Sequence, residues 1–75
     1  MNNSLLSKNL KKHRKLSNLS QKDIADKIDI SLRNYQYYES GNRIPPIDKL
    51  IVMADLFDVS IDYLVGRTEN PNINY

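Results

Sequence analysis

Leu19-Ser20-Gln21-Lys22-Asp23-Ile24-Ala25-Asp26-Lys27-Ile28-Asp29-Ile30-Ser31-Leu32-Arg33-Asn34-Tyr35-Gln36-Tyr37-Tyr38-Glu39-Ser40-Gly41 is the stretch that decides the fold. It opens with Ser20-Gln21-Lys22-Asp23, a capping-box pattern in which the serine hydroxyl and the acid three residues on each accept from the other's backbone N–H. Apolar residues then recur at three and four, so Ile24, Ala25 and Ile28 form the inward stripe of a short helix. Ser31 is a second N-cap residue, and the helix behind it presents Tyr35 and Tyr38 inward until Gly41 stops it. Asp29 to Ser31 join two helices of fewer than ten residues each. So short a connection forces a steep crossing, with two rods meeting at an elbow. Ala25 falls where the second rod presses closest, and a larger side chain there would hold the pair apart. Asp29 falls where the chain needs a positive φ, which glycine adopts freely and aspartate at a modest cost.

Outward from this pair, the first helix is expected from about Ser4 to Ser17, with Leu6, Leu10 and either His13 or Arg14 along one stripe. Asn18 follows it as the left-handed terminating residue. Ile44-Pro45-Pro46 forbids helix across the next loop. The fourth helix carries Ile47, Leu50, Met53, Ala54 and Phe57 inward as far as about Asp58. Ser60 then caps a short fifth helix, Ile61 to Val65, closed by Gly66. No segment alternates as a strand does. The expected fold is all-α: a compact five-helix domain over residues 1–66, followed by a C-terminal tail, 67–75, that is mobile or dimer-associated.

Seventy-five residues make one small domain, which buries only about 60% of its unfolded surface. With no cysteine, it has neither disulfides nor thiolate metal sites, so helix packing or association must stabilise it. The longest apolar run, Leu50 to Ala54, is far short of the roughly 20 residues a membrane span needs. The basic cluster Lys8 to Lys15 follows the early apolar pair Leu5 and Leu6, the reverse of a signal peptide, so a cytoplasmic location is expected. Glycine-rich phosphate loops, positioned nucleophiles and paired carboxylates facing a cleft are all missing. The expectation is a protein that is not an enzyme and takes no cofactor, metal or small-molecule ligand.

The steep pair is a helix-turn-helix. Together with Arg14, Leu19-Ser20-Gln21, Ile24-Ala25, Ile30-Ser31, Tyr38-Glu39-x-Gly41, Arg43, Pro45, Leu50, Ala54 and Val59-Ser60-x-Asp62-x-Leu64, it resembles the phage-repressor type of helix-turn-helix protein, the Cro/CI-like or Xre family. The resemblance spans about Leu6 to Gly66. It implies a lambda-repressor-like DNA-binding fold whose third helix enters the major groove. It also implies a sequence-specific transcriptional regulator, read here as a repressor that binds a palindromic operator in double-stranded DNA as a homodimer. The DNA-contacting positions it implies are Ser20, Gln21, Ser31, Leu32, Arg33, Asn34, Gln36, Tyr37, Asn42 and Arg43. Arg33 is the foremost base reader, because arginine pairs bidentately with guanine O6 and N7, and Leu32 suits a thymine methyl. Gln21 is the position that meets phosphate and can also brace a side chain of the third helix. The alternative is a protein-binding module of the same fold, antitoxin-like or anti-repressor-like.

The sequence departs from the family pattern in three places: Asp29 replaces the turn glycine, Tyr35 an aliphatic residue, and Pro46 the capping serine of the fourth helix. By the same resemblance, Arg14 and Glu39 form an ion pair tying the first helix to the end of the third. Lys8, Lys11, Lys12 and Lys15 cannot all face one way at 100° per residue, and are read as a solvated face. His13 is read as surface or half-buried, and Asp23, Asp26 and Asp29 as a solvated acidic stripe. For contact between copies, Tyr63 and Val65 are favoured, with the tail residues Ile73 and Tyr75, while Ile61 and Leu64 are assigned to the core.

Overall fold

Five helices follow one another as α1 (Asn3–Leu16), α2 (Gln21–Lys27), α3 (Leu32–Ser40), α4 (Ile47–Phe57) and α5 (Ile61–Leu64). The computed structural model describes residues 3–72, with side chains from Leu5 onward. Three serines start three of the helices: the hydroxyls of Ser20, Ser31 and Ser60 accept from the backbone N–H of Asp23, Asn34 and Tyr63. At Ser20 the box is complete, since its own N–H donates to Asp23 Oδ2 at 2.9 Å. The backbone N–H of Ser20, and after it the Ser20 side chain, hold the Asp23 carboxyl below the usual aspartate range. Pro46 begins α4 with no side-chain cap.

The helices stop where the backbone turns left-handed. Asn18 (φ 58°) and Asp29 (φ 60°) do so as expected, and Gly41 (φ 84°) and Gly66 (φ 89°) end α3 and close the turn after α5. Asp58 (φ 55°) does the same after α4, so that helix ends at Phe57.

The core gathers Leu6 and Leu10 of α1, Ile24, Ala25 and Ile28, Tyr35 and Tyr38 of α3, and Leu50, Met53, Ala54 and Phe57 of α4. Ile47 was expected on that last stripe but is 62% exposed. It keeps the register of Leu50, yet the first turn of α4 stands beyond what the other helices cover.

The expectation for α5 is also corrected. Tyr63 and Val65, favoured for contact between copies, are buried, while Ile61, assigned to the core, lies half-buried at its edge. A helix of four residues is a single turn. Once its end is wedged against α1, Tyr63, Leu64 and Val65 all face inward. Asn9 Nδ2 fastens this wedge, donating to the carbonyls of Tyr63 (2.9 Å) and Leu64 (3.2 Å). Gly66 lets α1 approach so closely that a Cβ there would sit 2.7 Å from Leu5 Cβ.

Beyond α5, Arg67 N donates to the Asp62 carbonyl and Ser60 N donates to the Pro71 carbonyl, so the chain turns back over α5. Ile73 and Tyr75 lie outside the described residues. Among the described residues, no helix is long and apolar enough to cross a membrane.

Candidate nucleic-acid interface

The α2–α3 pair is held from beneath by one ion pair. Arg14 Nε and Nη2 donate to the two oxygens of Glu39 at 2.9 Å each, and Arg14 Nη1 donates to the Leu19 carbonyl at 3.0 Å. The side chains are only 13% and 5% exposed, so α1, the residue before the capping box and the end of α3 are fixed together. Burial pushes the Glu39 carboxyl up. The hydrogen bonds of Arg14, then the nearby Tyr35 hydroxyl, the charge of Arg14 and a bond from Gln21 outweigh that and hold it below the usual glutamate range. The bond to Glu39, working against burial, holds the Arg14 guanidinium above its usual value.

From this buried pair a line of polar groups runs to the surface. Gln21 Nε2 donates to Glu39 Oε1 at 3.3 Å. A carboxylate only accepts, so the Gln21 amide must turn its NH₂ inward and its oxygen outward. That oxygen accepts from Gln36 Nε2 at 3.2 Å. The orientation of Gln36, on the outer side of α3, is thereby set by a carboxylate in the interior.

Tyr35, which replaces an aliphatic residue, is fully buried under α3. Among the described residues its hydroxyl has no hydrogen-bond partner, although the Arg14–Glu39 pair lies near enough to act on it electrostatically. Burial, reinforced by Glu39, pushes its pKa far above the tyrosine range.

The outward edge of α3 carries Leu32, Arg33 and Gln36 exposed, with Tyr37 and Asn34 half-buried. Arg33 Nε donates to the Tyr37 hydroxyl at 3.1 Å. The Arg43 guanidinium, reaching over from the next loop, stacks on the Tyr37 ring with its carbon 4.7 Å from the centroid. The loop is tied there as well, because the backbone N–H groups of Asn42 and Arg43 both donate to the Tyr37 carbonyl. Among the described residues the ion pairs are Arg14–Glu39, Lys22–Asp26 and Arg67–Asp62, so neither Arg33 nor Arg43 has a carboxylate partner.

Of the expected contact residues, the structure thus brings Gln21 and Gln36 together in one chain of bonds, and Arg33, Tyr37 and Arg43 in another. Ser20 and Ser31 sit exposed at the starts of α2 and α3, their hydroxyls engaged as caps. Leu32 and Asn42 are exposed alongside. Sequence reading missed Lys49, whose Nζ donates to the Ile28 carbonyl at 2.9 Å and ties α4 to the end of α2. It also missed the stacking of Arg43 on Tyr37. Arg33 and Tyr37 stand four apart on one helix and are legible as neighbours, but no spacing rule brings a loop arginine onto that ring.

His13 is half-buried, its ring edge-on to Tyr63 (centroids 5.3 Å) and tilted against Phe57 (5.8 Å). Its Nε2 lies 2.8 Å from the Tyr63 hydroxyl. Burial, and secondarily the charge of Lys12, lower its pKa below the usual 6.5.

Comparison with known proteins gives the same fold a family. A family model described as Helix-turn-helix matches residues 10–64. The chain is 41% identical to the uncharacterized HTH-type transcriptional regulator YobD of Bacillus subtilis, over 84% of this chain and 56% of that protein. It is 45% identical to the cryptic phage CTXphi transcriptional repressor RstR of Vibrio cholerae, over 77% of this chain and 52% of that one. A crystal structure of a transcriptional regulator from Listeria innocua superposes with a TM-score of 0.78 at 39% identity, covering 81% of this chain and 57% of that one. The chain therefore spans little more than half the length of these relatives.

Proposed function

The chain belongs to the helix-turn-helix family, and from that premise we propose that it is a DNA-binding transcriptional regulator and not an enzyme, a repressor acting in the cytoplasm. Residues 1–66 are the DNA-binding unit and 67–75 its tail. It binds a palindromic operator as a homodimer, placing α3 of each copy in successive major grooves about one helical turn apart.

One observation carries this reading: Arg33 and Arg43 gather on the uncovered edge of α3 with no carboxylate partner among the described residues, above an inner face locked by Arg14 and Glu39. Two adjacent cations without an anion suit a polyanion. Arg33 reads guanine, Leu32 meets a thymine methyl, and Gln36 and Tyr37 flank them, with Asn34 beside. Ser20, Gln21, Ser31, Asn42 and Arg43 face the phosphate backbone, which positions the helix without reading sequence.

Selection of bound sequences from random duplex DNA, using the full chain, tests this directly. A symmetric motif with two half-sites is expected, and light scattering of the complex should give two chains per duplex. Arg33→Ala should relax preference at one base pair in each half-site by about 1–3 kcal/mol. A chain that enriches no sequence, or whose preference survives Arg33→Ala, would sink the assignment.

A second reading, an anti-repressor-like module that binds protein, is favoured by one feature: Ile44, Ile47, Ile51 and Val52 are each 40% exposed or more. Salt separates the two, since affinity for DNA falls steeply as salt rises and an apolar contact does not.

A further inference from the structure

We infer that Tyr37 is a positioning residue that divides the two arginines between two tasks: its hydroxyl sets Arg33 for base reading, and its ring holds Arg43 for the phosphate backbone. This rests on the reading of α3 as a DNA-reading helix and names how that surface is organised.

Tyr37 touches the two arginines through different parts of its side chain. Its hydroxyl accepts from Arg33 Nε at 3.1 Å, which leaves the Arg33 guanidinium carbon at the outer limit of contact with the ring, 5.9 Å from the centroid. The Arg43 guanidinium lies closer over the ring face, at 4.7 Å. With Nε engaged, Arg33 keeps its free N–H donors on Nη1 and Nη2. That pair of donors matches the two acceptors, O6 and N7, which guanine alone presents in the major groove. The exposed Arg33 side chain would otherwise sample many rotamers, and the bond to Tyr37 limits them before DNA arrives.

Arg43 is fixed twice by the same residue. Its guanidinium lies on the ring, and its backbone N–H, with that of Asn42, donates to the Tyr37 carbonyl at 3.3 and 3.0 Å. Two guanidinium groups drawn to one ring repel each other, and among the described residues no carboxylate offsets them. A phosphate backbone would.

The two ends of the tyrosine are separable by substitution. Tyr37→Phe deletes the hydroxyl and keeps the ring, and Tyr37→Leu deletes both. Each variant of the full chain is measured against the duplex that the wild-type chain selects from random DNA and against a random duplex of equal length, over a range of salt. Exchange of the Arg33 Nε–H is followed by NMR without DNA. Tyr37→Phe should lose about tenfold of the discrimination for the guanine under Arg33, with a smaller loss on the random duplex and less change in salt slope than Tyr37→Leu. Tyr37→Leu should also weaken both duplexes and lower the salt slope by about one. Slow Nε–H exchange in the wild type should become fast in both variants.

Full discrimination by Tyr37→Phe, or an equal loss on both duplexes, overturns the division of tasks. Equal exchange rates in the wild type and Tyr37→Phe overturn the positioning, whether or not the Leu variant folds. Failure of the wild-type chain to select any sequence overturns the functional reading itself, and the exchange measurement still decides the positioning.

Discussion

Tyr35 places a full phenol ring beneath α3, and its hydroxyl is buried beside the Arg14–Glu39 pair without a hydrogen-bond partner among the described residues. A buried, unpaired hydroxyl costs about 1–3 kcal/mol in desolvation, while the ring supplies the packing. Tyr35→Phe should therefore leave stability unchanged or raise it by about 1 kcal/mol, read as a higher urea midpoint at constant slope. A loss above about 1 kcal/mol would mean that the hydroxyl is bonded in solution. The neighbouring ion pair should behave in the opposite way. Glu39→Gln leaves Arg14 buried without its countercharge, and removing one partner of a buried pair costs about 3 kcal/mol. The Glu39 carboxyl is held below its ordinary value of 4.5. Its contribution is thus complete above that value and is lost as pH falls through the lower folded-state pKa. In urea titrations below pH 4.5, the Glu39→Gln chain should lack this part of the wild-type decline.

At the scale of elements, the turn between α2 and α3 depends on Asp29 at φ 60°. Aspartate tolerates that region better than most residues, and glycine enters it without strain. Relief of strain in Asp29→Gly is partly offset by the freer unfolded chain, leaving a gain of about 0.5 kcal/mol or less. Asp29→Val, branched at Cβ, should cost about 1–2 kcal/mol and destabilise α2 and α3 together. Thermal melts of the two variants should move in opposite directions, and a neutral Val variant would show that the turn has relaxed. The start of α3 relies on Ser31 in the same way, its hydroxyl accepting from Asn34 N at 3.1 Å. The steep crossing follows from local rules of this kind: two good caps, one left-handed residue and a small, buried Ala25.

Across the whole molecule, α1 meets α5 and the turn behind it at several points, two of which carry no sequence signal. At the first, Gly66 faces Leu5. An added Cβ would lie 2.7 Å from Leu5 Cβ and Cδ1 at φ 89°, so Gly66→Ala meets both a clash and backbone strain. The expected loss is about 2 kcal/mol or more, which for a domain of this size lowers Tm by roughly 8 °C or more. Adding Leu5→Ala should recover only the part due to Leu5 Cδ1 and Cγ, because alanine keeps the Cβ at 2.7 Å and the backbone strain remains. The second point is His13, which joins α1 to Phe57 of α4 and Tyr63 of α5. Its folded-state pKa is lowered, chiefly by burial and then by Lys12. The unfolded chain therefore binds its proton first as pH falls. Stability should be level above pH 6.5, decline as pH drops below it, and level off beneath the folded-state pKa. His13→Gln should flatten this window and leave the separate acid decline of Glu39. An unchanged slope would place the titrating group elsewhere.

What the amino-acid sequence determined by itself was everything that rests on neighbours along the chain. The serine caps, the positive φ at Asn18 and Asp29, the three-and-four spacing of Ile24, Ala25 and Ile28, and the exposure of Arg33 all follow from caps, steric limits and helical period. The pairing of Arg14 with Glu39 was legible only through family resemblance, since twenty-five residues separate them. Tertiary structure alone decided where the short α5 would seat, burying Tyr63 and Val65 while Ile61 packs half-buried at the edge of the core, and that Ile47 would stand uncovered. It alone drew Arg43 onto Tyr37 and aligned Gln36 through Gln21 with a carboxylate in the interior. Periodicity names the face of a helix but not what lies against it, and a one-turn helix has too little period to name even that.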